Sequence, residues 1–143
     1  MTYELSIEGE AGTINLNENG TGNSAIKKVD FQIAQDNLET NEKATSLFNT
    51  LVIEGEITDK TQSQTKELLE WSLKTDKTNV YKTVSLVVRK DADVIRDYYL
   101  KDMFCTSYQE FFDEDTSKSN SNGKFVLKMR QRKGSIDTIV VDC

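Results

Sequence analysis

Residues 80–90 read VYKTVSLVVRK and begin the region that decides the fold. Every second residue from Val80 to Val88, Lys82 among them, falls on one face of an extended chain, because strand side chains alternate between the two faces. The intervening side chains fall on the other face. This pattern predicts a long β-strand with one covered face.

Residues 94–112 follow with VIRDYYLKDMFCTSYQEFF, which is also rich in β-forming residues. The run is too long for an ordinary strand, which is usually about 5–6 residues. It is therefore either a bent strand that leaves one sheet and joins another, or two strands with a bulge near Lys101–Asp102.

Further strands are predicted on both sides of this pair by alternation and composition. They are Tyr3–Glu8, Thr13–Leu16, Ile26–Ala34, Leu47–Ile57, Lys124–Arg132 and Ser135–Val141. In the strand after residue 123, Phe125, Leu127 and Met129 alternate with lysine, valine and arginine. Polar stretches at 17–24, 35–45 and 113–123 read as the connecting loops.

One helix is predicted, at about Thr61–Thr75. Thr61 and Gln64 have the spacing of a capping box, in which each side chain bonds a free backbone group of the first turn. Leu68, Leu69, Trp71 and Leu73 then form an apolar stripe. We expect Trp71 to plug one side of the sheet or barrel.

The composition excludes several classes of function. The chain has 143 residues, enough for a single domain over residues 1–143. Histidine is absent, which excludes Ser-His-Asp and Cys-His catalysis and histidine-ligated metals. Only two cysteines are present, so neither a disulfide framework nor a zinc site is predicted; Cys105 reads as a small core residue and Cys143 as a free thiol. No phosphate loop or convergent acid–base set is present, so we expect no enzyme activity and no cofactor or metal.

The formal net charge is −6 and is unevenly spread. Residues 1–72 carry 5 Lys/Arg against 13 Asp/Glu, and residues 73–143 carry 13 against 11. An acidic chain is a poor non-specific nucleic-acid binder, but such a split suits head-to-tail association of copies. Proline is also absent, and proline is one of the devices that block free sheet edges.

The N-terminus, MTYELSIEGE, lacks the basic start and apolar run of a secretory signal. We therefore expect assembly in the cytoplasm without a cleaved leader. The sequence has no apolar stretch near the roughly 20 residues that span a bilayer, and membrane insertion is not expected.

Four stretches carry a resemblance to a known family: LVIEGEITD at 51–59 before the helix, KTVSLVVRK at 82–90, YYLKDMFCTSYQ at 98–109 with its Ser107–Tyr108 pair, and FVLKMRQRKGSI at 125–136. In order and pattern they resemble the tube proteins of contractile injection machines, namely the haemolysin-coregulated protein of type VI secretion and phage tail tube proteins. The resemblance implies a mainly β fold, a two-sheet antiparallel β-barrel with one flanking α-helix.

The resemblance further implies a structural subunit that assembles into hexameric rings, which stack into the hollow tube of a phage tail, tailocin or type VI-like system. Implied partners are other copies of the chain, sheath or baseplate proteins, and effector or DNA cargo in the lumen. On this basis the candidate ring-stacking loop comprises Asp36, Asn37, Leu38, Glu39, Asn41, Glu42 and Lys43. The candidate lumen or ring-seam residues are Lys82, Arg89, Arg96, Lys128 and Arg130.

A second hypothesis of a different class remains open. A β-barrel of this size also suits a monomeric module that binds a small ligand or a partner protein at its mouth. The two hypotheses differ in what they predict for the sheet edges and for the barrel centre. A tube subunit leaves edges and faces for other copies, whereas a binding module needs a cavity.

Overall fold

The computed structural model describes residues 1–16, 25–35, 47–113 and 122–142, with side chains throughout except at 136–138. In these ranges the strands are β1 (Thr2–Gly9), β2 (Gly12–Asn15), β3 (Ile26–Gln35), β4 (Leu47–Ile57), β5 (Lys82–Lys90), β6 (Asp93–Phe111), β7 (Gly123–Gln131) and β8 (Val140–Asp142). The helices are α1 (Gln62–Ser72), the single turn α2 (Lys77–Val80) and a 3-10 helix (Lys133–Thr138). None of the described helices has the length and apolar character needed to cross a membrane.

The strands pair in the order β2-β1-β5-β6-β7-β4-β3, antiparallel at every step, and β8 also pairs with β6. The 19-residue β6 joins the two halves of this sheet. Its residues 93–103 pair with β5, and its residues 103–111 pair with β7. The predicted single bent strand is therefore observed, but it lies within one continuous sheet and does not leave one sheet to join another.

A bulge lies at the predicted place in β6. Lys82 pairs with Met103 and Val84 with Leu100, so β6 has one residue more than β5 between these pairs. Asp102 has a φ of 55°, a left-handed conformation that Asp tolerates better than most residues. An extra residue of this kind bends the strand and increases its twist.

The sheet curves around one core. The buried cluster takes side chains from both halves, with Leu5 and Ile7 on β1, Leu86 on β5, and Ile53 on β4 all at 0% exposure. The predicted mainly β antiparallel class with a flanking helix is confirmed. Hydrogen bonding makes one continuous sheet, and among the described residues its end strands β2 and β3 do not pair with each other.

Helix α1 covers one side of this core. Trp71 is 2% exposed, and its indole Nε1 donates to the carbonyl oxygen of Val80 at 3.0 Å. The expected role of Trp71 as a plug is confirmed. The helix ends at Ser72 rather than near Thr75. Of the predicted apolar stripe, Leu68 and Trp71 are buried, whereas Leu69 and Leu73 are exposed.

The predicted capping box is wrong. The Thr61 hydroxyl accepts from the backbone N–H of Thr58 at 2.9 Å, which closes the turn before α1. Gln64 Oε1 accepts from the N–H of Asn15 at 3.2 Å, so this side chain ties α1 to β2. Both side chains are engaged by tertiary and turn contacts that the local pattern does not encode.

Gly55 provides the sharpest test of the core packing. It pairs with Phe125 across β4 and β7, and a Cβ at this position would lie 2.6 Å from the Ala25 carbonyl oxygen and 2.7 Å from Phe125 Cε1. Replacing Gly55 by Ala should therefore lower the free energy of unfolding by about 1–3 kcal/mol, the usual cost of overpacking. Urea denaturation measures this change.

The matched control is Gly134→Ala, because a Cβ at Gly134 meets no atom within 4 Å. This substitution should change stability by no more than about 0.5 kcal/mol. A Gly55→Ala protein as stable as the Gly134→Ala protein would contradict the described contact between β4 and Phe125.

Candidate assembly surface

Strand β7 has the two faces that the sequence predicts. Phe125, Leu127 and Met129 are fully buried on the core face. Lys128 and Arg130 point to the outer face of the sheet, where they lie beside Val52 and Thr50 of β4. The outer positions of β7 are only partly covered, so this face is available to other molecules.

An arginine–aromatic row crosses this outer face near the middle of the sheet. It consists of Phe48, Arg130, Phe104, Tyr81 and Arg132. The Arg130 guanidinium carbon lies 4.5 Å from the centre of the Phe48 ring, and Arg130 pairs with Phe104 across β6 and β7. The rings of Tyr81 and Phe104 meet edge to face at 6.0 Å, and Arg132 lies 5.5 Å from the Tyr81 ring centre.

The row has the chemistry of a protein-binding hot spot. Arginine and aromatic side chains are enriched where interfaces bind most strongly, because they combine a large apolar area with directed polar contacts. Arg130 Nε is buried, yet it has no hydrogen-bond partner among the described residues. A buried donor without an acceptor is costly, and this nitrogen makes the row a candidate contact surface.

The five candidate lumen or ring-seam residues do not lie on one face of the sheet. Lys128 and Arg130 share the outer face of β7, and Arg89 lies on the same face of the sheet at the far end of β5. Arg89 pairs with Val94, and Arg130 with Phe104, so about ten residues of β6, roughly 30 Å, separate the two arginines. Arg89 forms an ion pair with Glu4, with 3.3 Å between Nε and Oε1.

Arg96 and Lys82 lie on the opposite face. Arg96 pairs with Val88 at the margin of the core face, is exposed, and donates from Nη1 to the Ile95 carbonyl oxygen at 2.9 Å. Lys82 is on the core face of β5 and is only 9% exposed. One surface therefore cannot contain all five residues.

The seven candidate ring-stacking residues, Asp36 to Glu39 and Asn41 to Lys43, lie outside the described residues. The flanking strands β3 and β4 pair in register from Gln35 and Leu47, so the two ends of this segment lie next to each other at one end of the sheet.

Free strand edges and exposed apolar side chains add to this surface. The short strand β8 presents Val140 and Val141, which are 57% and 49% exposed, beside the exposed Tyr99 of β6. In the described part of the chain, β3 pairs along one edge only. Unpaired edges and apolar patches of this kind are sites of association.

The region around Cys105 and Tyr108 is structural. Cys105 packs against the core, as predicted, and burial raises the pKa of its thiol. The Tyr108 hydroxyl lies 2.8 Å from Glu110 Oε1 and 3.3 Å from the Thr65 carbonyl oxygen of α1. Burial, then the bond to Glu110, raises the pKa of Tyr108, so its hydroxyl stays protonated and holds α1 against β6.

Phe48, Tyr81 and Phe104 were not predicted as surface residues from the sequence. Phe104 and Arg130 meet because they pair across β6 and β7. The sequence did contain a sign of this surface, because aromatic residues occur at strand positions that face away from the core. An apolar side chain at such a position needs some other group to cover it.

A double-mutant cycle tests the arginine–aromatic row. Arg130→Met and Phe48→Leu each retain an apolar stem but remove the cation or the ring. We expect a coupling energy of about 0.5–1 kcal/mol between them in urea denaturation, because the stacked contact exists only when both are present. The control cycle pairs Phe48→Leu with Arg89→Met on the distant end of the same face and should be additive; equal coupling in both cycles contradicts the row.

The sequence matches no protein-family model, and it matches no curated protein sequence. Solved structures do match. The Hcp1 protein from E. coli EAEC 042, in a double-mutant form, is 11% identical, with 100% of this chain and 99% of that chain covered and a TM-score of 0.60. The sheath/tube terminator of the extracellular contractile injection system PVC is 12% identical, with 99% and 94% covered and a TM-score of 0.56.

A chain in the sixfold-symmetrised baseplate of the anti-feeding prophage is 10% identical, with 99% of this chain and 92% of that chain covered and a TM-score of 0.51. The matches extend over nearly the whole length of each chain, although few residues are identical. The predicted resemblance in fold is confirmed: this chain has the fold of the Hcp1 and contractile-injection tube proteins.

Proposed function

We propose that this chain is a structural tube subunit, which assembles into rings that stack into a hollow tube. The observation that carries the proposal is the fold shared over almost full length with Hcp1 and with a sheath/tube terminator. The tube would belong to a phage tail, a tailocin or a type VI-like contractile injection system. The subunit's role is assembly and not catalysis.

The surface described above supports this role. The arginine–aromatic row contains a buried arginine nitrogen without an acceptor in the described residues. Strands β3 and β8 offer backbone edges, and β8 carries the exposed Val140 and Val141. A contact between different surfaces of identical copies closes into a ring when the rotation between copies divides a full turn.

We propose six copies per ring, because a chain with this fold occurs in a sixfold-symmetrised baseplate. Sheath and baseplate proteins are the expected partners outside the tube, and effector or DNA is the expected cargo inside. Lys128 and Arg130 share one face and are the best candidates for the lumen or the ring seam. Arg89 and Arg96 would contribute at the other end of the subunit.

The alternative of a monomeric binding module has less support. The centre of the described fold is filled by the apolar cluster of buried side chains from β1 to β7 and α1. A ligand-binding barrel needs a cavity at this place.

The oligomeric state tests the proposal directly. Full-length protein should form particles with about six times the 16.2 kDa of one chain in size-exclusion chromatography with light scattering. Negative-stain microscopy should show rings, and stacked rings at high protein concentration or with osmolytes. A chain that stays monomeric under all these conditions contradicts the proposal.

A second experiment tests the candidate stacking loop. Deletion of Asn37–Lys43 should abolish tubes but leave single rings, because we propose that this loop orders against the next ring. The matched control replaces the same seven residues by a Gly/Ser segment of equal length, which keeps the connection between β3 and β4. Microscopy that finds an unchanged yield of tubes after the deletion would show that stacking does not use this loop.

A further inference from the structure

The outer face of β7 is basic at its centre. Lys128 is exposed and Arg130 is half-buried, and both project from the side of the sheet opposite the core. Neither side chain forms an ion pair within 4.0 Å among the described residues. Their charges are therefore not neutralised by direct contact within the described chain.

The residues that pair with these two cations across β4 and β6 are all uncharged. They are Thr50, Val52, Phe104 and Ser107. The carboxylates that β3 and β4 carry on this face are held by two lysines. Lys28 lies 3.5 Å from Asp30 and 3.8 Å from Glu54, and Lys27 lies 4.0 Å from Glu56. An anion at the centre of the face therefore meets cations, hydroxyls and a ring, and no carboxylate directly beside them.

The arginine–aromatic row places flat rings beside these cations. Arg130 lies over the Phe48 ring, and Phe104 is the cross-strand neighbour of Arg130 on β6. Phe104 is only half-buried, although it meets Tyr81 edge to face. The face thus offers a partly open ring next to a guanidinium group.

Arg132 marks the limit of this basic surface. It lies over Tyr81 at one end of the row, but it also lines a pocket that contains carboxylates. These carboxylates belong to Glu8, Glu10 and Asp102. The basic centre is therefore formed by Lys128 and Arg130, with Arg132 at its border.

Strand β7 is an interior strand, so a partner must bind this face through side chains. The backbone groups of β7 pair with β4 on one side and with β6 on the other. An extended peptide that adds to a sheet needs a free edge, which this face does not offer. Cations next to rings on a sheet face suit single-stranded nucleic acid, because phosphates contact the cations while unstacked bases stack on rings or guanidinium planes.

We propose that the outer face of β7 binds single-stranded nucleic acid around Lys128, Arg130 and Phe104. Phosphates contact the two cations and the hydroxyls of Thr50 and Ser107, and a base stacks on Phe104. The net charge of −6 opposes the approach of any polyanion, so binding is local and sensitive to salt. The binding itself does not require rings; that this nucleic acid is the cargo of a tube rests on the proposed function.

Fluorescence anisotropy of a labelled oligothymidylate with full-length protein tests the proposal. With two or three phosphate contacts, the dissociation constant should rise roughly 7- to 20-fold between 50 and 200 mM salt. Lys128→Gln with Arg130→Gln should raise it about tenfold or more at the lower salt concentration. Lys128→Gln alone replaces an exposed side chain, so the fold is retained, and it should lower the slope of log affinity against log salt by about 0.7.

The matched control removes two charges elsewhere. Lys60→Gln with Lys74→Gln replaces two exposed lysines on either side of α1, outside the β7 face, and should change the dissociation constant by no more than about twofold. An equal loss in both double variants would show that only net charge matters, and the proposed site would be wrong.

Phe104→Leu distinguishes nucleic acid from an acidic polypeptide. Leucine keeps an apolar side chain at this position but removes the stacking ring, so oligothymidylate should bind about fivefold or more weakly. Binding of poly-L-glutamate, measured by competition, should be unchanged by this substitution. Poly-L-glutamate that displaces the oligonucleotide equally well per charge, with no effect of Phe104→Leu, would assign the face to acidic polypeptides and overturn the inference.

Light scattering of each variant under the same conditions separates this inference from the proposed function. Rings without salt-dependent binding of oligothymidylate leave the proposed function standing and overturn the inference. Binding by a protein that stays monomeric does the reverse. Loss of binding only in variants that also lose assembly would mean that the nucleic acid contacts a surface made by assembly, and the β7 site would be wrong.

Discussion

The bend of β6 at Asp102 is the constraint on which the rest of the structure depends. This strand has 19 residues, and its first part pairs with β5 whereas its last part pairs with β7. An extra residue with a positive φ redirects the chain between the two. Because the sheet turns at this point, strands from both ends of the sequence contribute to a single core, and α1 with Trp71 covers one side of it. A straight β6 would leave these two apolar faces apart.

The same bend also builds the surface. Phe104 follows it and pairs with Arg130 of β7, and the residues after β7 return to it: Arg132 donates its N–H to the Asp102 carbonyl oxygen at 2.9 Å, and the Ser135 hydroxyl donates to the Asp102 carboxylate. Tyr81 and Lys82 lie at the adjoining end of β5. The arginine–aromatic row therefore lies beside the bend, and its Arg130 Nε is buried without a hydrogen-bond partner in the described residues.

Part of the candidate surface could be predicted from the alternation of side chains along single strands. Alternation placed Lys128 and Arg130 opposite Phe125, Leu127 and Met129, and the structure confirms this. It also placed Lys82 among the apolar residues of β5, which was a sign of a buried lysine. The distance of Arg89 from Arg130 could not be read, because it depends on how β5 and β7 are staggered along β6. The roles of Thr61 and Gln64 were misjudged, because a distant strand and a local turn bind them in place of the helix end.

The sequence by itself determined seven of the strands, their two faces, the main helix and the position of the bulge, because these follow from alternation, apolar spacing and chain length within one segment. The strand predicted at Ser135–Val141 was wrong, since Lys133–Thr138 is a 3-10 helix and only Val140–Asp142 is extended. The tertiary structure alone decided which strands became neighbours, that the sheet stays open between β2 and β3 in the described chain, and that Lys82 lies over Gly9. The physical reason is that pairing register and burial are set by segments far apart in sequence. A pattern within one segment records that a face will be covered, but it does not record what covers it.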